Sequence, residues 1–255
     1  MLNIVIPMVG GSNRYAESYY ETPKPLTDIF GHPVIEYVTQ NIRPKCEHRF
    51  IYVCREDHIE RFELDRILRE ITPDCEIIVT DASTEGDACT VLLAEEFIDN
   101  DDELMIAGCA QVIDTNIDAY LDEMRGYDGL IMTTPANQPK WSYVKYDENG
   151  EVTLVREKED MSNEAIVGIY NFKRGSDFVK YAYRMIANDV RENNEFGVAP
   201  VYNEMINDGK RISFCNVGAD MHGFGELKVQ VPACSLICVQ ISFEEPLIGK
   251  GHGIS

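Results

Sequence analysis

Leu2-Asn3-Ile4-Val5-Ile6-Pro7-Met8-Val9-Gly10-Gly11-Ser12-Asn13-Arg14 opens the chain, and Thr22-Pro23-Lys24-Pro25-Leu26 begins eight residues after Arg14. The β-branched, almost wholly apolar run 2–6 reads as a strand buried on both faces, as in a parallel sheet. Pro7 ends the ladder because it has no N–H to donate. Gly10 and Gly11 allow a sharp turn with no Cβ to keep an anion from the peptide N–H groups. Arg14 adds a guanidinium fork suited to phosphate oxygens. Pro23 and Pro25 restrict the backbone on either side of Lys24 and so limit where its ammonium starts. A lone Gly-Gly pair is equally an ordinary turn, and the stretch matches neither G-x-x-x-x-G-K-[ST] nor G-x-G-x-x-G. It is the combination of strand, glycine turn, Arg14 and clamped Lys24 that suits a nucleoside triphosphate.

Working outward, helical and strand patterns alternate. Residues 33–42, 56–70, 87–98 and 116–124 have helical apolar spacing, and 49–54, 76–80, 103–107 and 129–134 read as strands. Strands alternating with helices indicate right-handed βαβ units and a largely parallel sheet. The rhythm then changes. Residues 142–146 and 151–155 flank Asp147-Glu148-Asn149-Gly150, whose Asn-Gly pair predicts a hairpin. A strand over 166–172 follows, then a helix over 176–187 with Ser176 as its N-cap, a helix near 200–206 and a strand near 211–217. The expected fold class is α/β, a Rossmann-like, mixed but mainly parallel sheet with flanking helices. Residues 1–225 form the main domain, with 1–135 as a nucleotide half and 136–225 as an acceptor half. Residues 226–255 are a tail with an apolar, strand-like run at 229–243, open to divergence, an oligomer contact or disorder.

The 255 residues, 44% of them hydrophobic, suffice for one full core. With 44 acidic and 23 basic residues, the net charge is −21. That charge argues against nucleic acid and anionic membrane as partners. It also means that an anionic substrate needs a local basic site. The eight cysteines form no C-x-x-C pair. They read as reduced thiols in a cytoplasmic protein, and neither a signal peptide nor a membrane span is expected.

The opening pattern resembles that of the sugar-phosphate nucleotidylyltransferases, or nucleoside-diphosphate-sugar pyrophosphorylases: a strand, a G-x-G-x-R loop, then P-K-P-[LM]. Gly10, Arg14, Lys24 and Pro25 match, while Ser12 stands where that family has its second glycine. The resemblance runs over about residues 1–225. It implies an enzyme that moves a nucleoside monophosphate from a triphosphate to a phosphorylated acceptor, with Arg14 and Lys24 catalytic. It places the nucleotide against Val9, Gly10, Gly11, Ser12, Gly86, Cys109 and Ala110. Gly86 lies against the nucleobase in that reading, and in the local reading it is the start of a helix. Acceptor-side matches are Glu157-Lys158, the glycine of Val167-Gly168-Ile169-Tyr170, and Asn203 in Pro200-Val201-Tyr202-Asn203. The last segment and Asn194-Glu195-Phe196 resemble a subgroup acting in surface-polysaccharide assembly. Lys140, Trp141 and Tyr143 are either a wall of the acceptor pocket or a capped edge of the core.

The resemblance also implies magnesium. Its usual aspartate position, after 105–109, is Ala110, and its late carboxylate position reads Gly223. Asp114 is the nearest replacement in sequence. Two rivals follow: a nucleotide- or nucleotide-sugar-binding protein of impaired activity, and a glycosyltransferase of similar fold, which usually displays a D-x-D metal motif, and none is read in this chain.

Overall fold

The structure, a computed structural model, describes residues 1–9, 22–136, 141–157, 162–218 and 221–223. The first strand, β1 (Leu2–Pro7), is followed by a 3-10 turn (Lys24–Leu26), the hairpin β2 (Asp28–Ile29) and β3 (His32–Pro33), and helix α1 (Val34–Asn41). Next come β4 (His48–Arg55), α2 (Glu56–Phe62), α3 (Leu64–Ile71), β5 (Glu76–Thr80), α4 (Asp87–Leu92), α5 (Glu95–Ile98) and β6 (Glu103–Ala107). The remainder is β7 (Gln111–Ile113), α6 (Ile117–Asp122), β8 (Gly129–Pro135), β9 (Ser142–Tyr146), β10 (Val152–Glu157), β11 (Glu164–Phe172), α7 (Gly175–Ala187), α8 (Val201–Asn207), β12 (Ile212–Asn216) and β13 (Met221–Gly223).

Nine strands form one sheet. Its parallel block runs β5-β4-β1-β6, and β11 joins β6 antiparallel. Beyond β11 the sheet branches, to β8 with its parallel neighbour β12, and to the β9–β10 hairpin. Strand β1 is buried on both faces, as read. Leu2, Ile4 and Ile6 join one apolar cluster, and Val5 joins the other. Phe50, Tyr52 and Cys54 alternate with Ile51 and Val53 in β4 in the same way. This side-chain period of two places a core on each side of the sheet. One core packs under α1 and α3, the other under α4, α7 and α8.

The differences from the sequence reading have local causes. The expected helix 56–70 is two helices, because Glu63 is left-handed with φ 52°. That break directs Leu64 and Leu68 into the core, while α2 buries none of its residues. The expected helix 87–98 also divides, at Leu93 and Ala94. Helix α7 begins at Gly175 rather than behind a Ser176 cap. Its first N–H groups reach backbone carbonyls instead, Gly175 to Asp102 at 2.8 Å and Ser176 to Asn100 at 2.9 Å. Those bonds satisfy donors that a side-chain cap would otherwise serve. Among the described residues no helix is long and apolar enough to cross a membrane.

Candidate functional site

In an open α/β sheet the ligand crevice lies beyond the carboxyl ends of the strands, where the strand order reverses. Here the chain moves from β1 outward to β4 and β5, then returns to β6 on the other side of β1. The crevice is therefore framed by the end of β1, the loop between β5 and α4, and the turn between β6 and β7. Val9 is buried in the core beneath it.

Lys24 opens the 3-10 turn, which is closed by Leu26 N–H to the Pro23 carbonyl at 2.9 Å and Thr27 N–H to the Lys24 carbonyl at 3.1 Å. The prolines and these bonds hold a half-buried lysine in place. Its charge is felt at Cys109, in the turn after β6. Burial pushes the Cys109 thiol up to about 12 and the Asp87 carboxylate adds to the rise, while the Lys24 ammonium opposes it. Lys24 and Asp87 thus both act electrostatically on Cys109. Burial also raises the Asp87 carboxyl above its ordinary range, with the Glu195 carboxylate contributing. Asp87 is nevertheless exposed at the start of α4.

Gly86, at φ 141°, caps α4, and a Cβ there would stand 2.4 Å from the Phe196 carbonyl oxygen. The close backbone approach explains the glycine without a nucleobase. On the other wall, Gly168 has φ 77°, and its carbonyl accepts from Gly108 N–H at 3.0 Å. A Cβ on Gly168 would be 3.1 Å from Nε2 of Gln111, which donates to the Val167 carbonyl. The Gln111 amide thus fills the space that these glycines leave.

Three sequence expectations are revised. Tyr143 is 1% exposed and offers almost no surface to a ligand, since β9 turns it into the sheet's packing. Asn203 accepts from Val155 N–H at 2.8 Å and donates to the Val155 carbonyl at 2.8 Å, so its amide continues the edge of β10. Asp114 lies past the far end of β7, and an extended strand carries it about 13 Å from Ala110. That end is pinned by Asn41, which bonds Ile113 N–H at 2.8 Å and its carbonyl at 2.7 Å. Trp141 is half-buried at the start of β9, Ala110 packs against the core, and Glu157 is described by its backbone, paired with Ser142. Gly10, Gly11, Ser12, Arg14, Lys140, Lys158, the tail 226–255, Cys234 and Cys238 lie outside the described residues.

Strands β7 and β13 pair antiparallel, with Gly223 opposite Gln111. Ala110 directly precedes Gln111, so the two positions where the resemblance implies magnesium ligands, 110 and 223, come close together, and neither residue carries a carboxylate. Among the described residues no group of three or more His, Cys, Asp or Glu side chains is placed to hold a metal ion. Positions 110 and 223 therefore offer a magnesium ion no protein carboxylate. One D-x-D triplet, Asp99-Asn100-Asp101, is present against the sequence reading, but it precedes β6 at the amino end of the strand, away from the crevice.

Sequence reasoning overlooked Asp87, Gln111 and Arg191. The first two were legible as polar residues directly beside Gly86 and Ala110. Arg191 carried no local signal.

Comparison with known proteins agrees with this architecture. The Nucleotidyl transferase family model matches residues 9–218. No curated protein matches the chain. Among solved structures, a nucleoside-diphosphate-sugar pyrophosphorylase from Vibrio cholerae superposes with TM-score 0.75 at 22% identity, over 93% of this chain and 99% of the other. The inositol-1-phosphate CTP transferase of T. maritima gives 0.74 at 11% identity, over 96% and 98%. A Bacillus anthracis structure named a glucose-1-phosphate thymidylyltransferase, in complex with sucrose, gives 0.69 at 16% identity, over 98% of each chain. At these identities the structures establish the shared fold. The family match runs from the end of β1, across the crevice, to the turn after β12, and on that basis the chain belongs to the nucleotidyl transferase family.

Proposed function

We propose that this nucleotidyl transferase moves a nucleoside monophosphate from a triphosphate to a sugar 1-phosphate. An oxygen of the acceptor phosphate attacks the α-phosphorus, a new P–O bond forms, and the bond to the β-phosphate oxygen breaks in line to release pyrophosphate. The attacking oxygen is already anionic, so no general base is required. Catalysis rests on positioning and on stabilising crowded negative charge. Lys24 supplies a cation at the crevice, joined by Arg14, while Lys158 holds the acceptor phosphate.

The observation that carries this reading is the Nucleotidyl transferase match over residues 9–218, which spans the strands and turns that bound the crevice. The acceptor class is supported by structural neighbours named for sugar and inositol phosphates. A cytoplasmic setting is supported by Cys46, Cys54, Cys75, Cys89, Cys109 and Cys215, all free thiols. The resemblance of residues 194–196 and 200–203 supports a role in surface-polysaccharide assembly.

The test is pyrophosphate release from each of the four common triphosphates with a panel of sugar 1-phosphates. Lys24→Ala should lower the rate by about a hundredfold or more, because the developing charge loses its preorganised cation. Near-normal turnover in that variant would reject the assignment.

A second reading, nucleotide binding with impaired turnover, is favoured by Ala110 directly preceding Gln111, the residue paired with Gly223, so that neither implied ligand position carries a carboxylate. It predicts triphosphate binding without pyrophosphate release in the wild type, and release gained in Ala110→Asp.

A further inference from the structure

Residues 189–196 form a hairpin with three left-handed residues that are not glycine. Asp189, Asn193 and Asn194 have φ 50°, 50° and 64°. Glu192 and Glu195 exchange both backbone hydrogen bonds, at 3.0 and 2.9 Å, around Asn193-Asn194. A two-residue turn with both central residues at positive φ suits asparagine and closes a tight hairpin.

The hairpin grips the segment that begins α4. Phe196 N–H donates to the Glu85 carbonyl at 2.8 Å, and Ala88 N–H donates to the Phe196 carbonyl at 2.9 Å. Gly86 fits between them only because it has no Cβ. Arg191, on the opposite arm, engages its whole guanidinium. Nη2 donates to the Glu85 carboxylate at 2.7 Å, Nε to Asp189 at 2.6 Å, and Nη1 to the Asn194 carbonyl at 3.3 Å. Its guanidinium carbon lies 3.9 Å from the centre of the Phe196 ring. Phe196 is buried, so the stack is anchored from below. A rigid planar fork that stacks and forms ion pairs at once is a role lysine does not reproduce.

We infer that Arg191 is a positioning residue for nucleotide binding. Carried by a hairpin late in the chain, it locks the Glu85–Ala88 segment, and through it Asp87, at the wall of the crevice. The arrangement has an electrostatic side as well. Arg191 offsets one of the two negative charges of Glu85 and Asp189 beside a crevice that must accept a polyanion. Removing it would loosen the segment and leave two carboxylates without their partner.

The inference rests on the proposed function only for what the crevice binds, and its test has an arm that needs no turnover. In the ligand-free full chain, hydrogen exchange at the Gly86, Asp87 and Ala88 amides should speed up at least about tenfold in Arg191→Ala. Exchange in β1 should stay unchanged. In the same variant KM for the triphosphate should rise about tenfold or more, with kcat changed by less than about threefold. Arg191→Lys should recover only part of the affinity. Should Arg191→Ala not fold, Glu85→Gln, which keeps the stack and the Asp189 bond, should give the same effects in milder form. If the wild type proves not to turn over, the proposed function falls, and triphosphate affinity by equilibrium titration replaces KM. Unchanged exchange at residues 86–88, or unchanged triphosphate affinity with only a lowered Tm, would overturn the inference.

Discussion

Asn203 shows how far a side chain's role depends on what stands across from it. Its amide spends one acceptor and one donor on the Val155 backbone, acting as an extra residue of a strand. Asn203→Ala would strand both Val155 groups, at a cost of about 1–3 kcal/mol. In a chain of this size each kcal/mol lowers Tm by about 2–4 °C. Thermal unfolding should show that drop. An unchanged Tm with lost acceptor affinity would return Asn203 to the ligand-binding role its sequence setting suggested. Gly86 carries a similar lesson. The sequence admitted a nucleobase contact or a helix start, and the structure adds a third cause, the Phe196 backbone in the space a side chain would fill. Ala110 was readable as a missing carboxylate from the sequence alone. That Gly223 lies beside it was not, because the β7–β13 pairing joins distant segments.

At the scale of elements, short-range periodicity served well. The strand over 103–107 and the hairpin at 147–150 are where their patterns put them, with Gly150 at φ 80° and Asp147 accepting from Asn149 and Glu151 N–H at 2.9 and 3.0 Å. What periodicity missed were breaks, such as left-handed Glu63 between α2 and α3. The joint between α7 and α8 was equally invisible. Asp208, just past α8, accepts from Arg184 at 2.7 and 2.9 Å, from the Tyr181 hydroxyl at 3.0 Å and from Lys180 at 3.4 Å. Hydrogen bonding to Arg184, foremost among these contacts, holds its carboxyl well below the usual carboxylate range. A lowered folded-state pKa contributes stability that is present above the unfolded value of about 3.9 and is lost as pH falls through the folded value. Asp208→Asn should therefore lower Tm at pH 7, and the gap to the wild type should narrow steadily below about pH 4. A gap that stays constant down to pH 2 would show that this ion cluster does not join the helices.

For the whole molecule, the net charge of −21 sets the terms on which an anionic substrate arrives. Repulsion between like charges slows encounter and is screened by salt, with a Debye length of about 10 Å at 0.1 M. Triphosphate kcat/KM should therefore rise as salt increases from about 10 to 100 mM, the reverse of a basic, steering enzyme. A fall over that range would mean that the crevice's local cations outweigh the global field. The sequence by itself determined the order of strands and helices and the two-faced burial of β1, because these follow from propensities and spacings within a few residues. Only the tertiary structure decided that Arg191 grips Glu85, 106 residues away, that positions 110 and 223 are neighbours, and that Asn203 completes a strand edge. Those contacts arise where separately formed elements close on one another. Each is set by the packing of the sheet as a whole, and no local pattern encodes it.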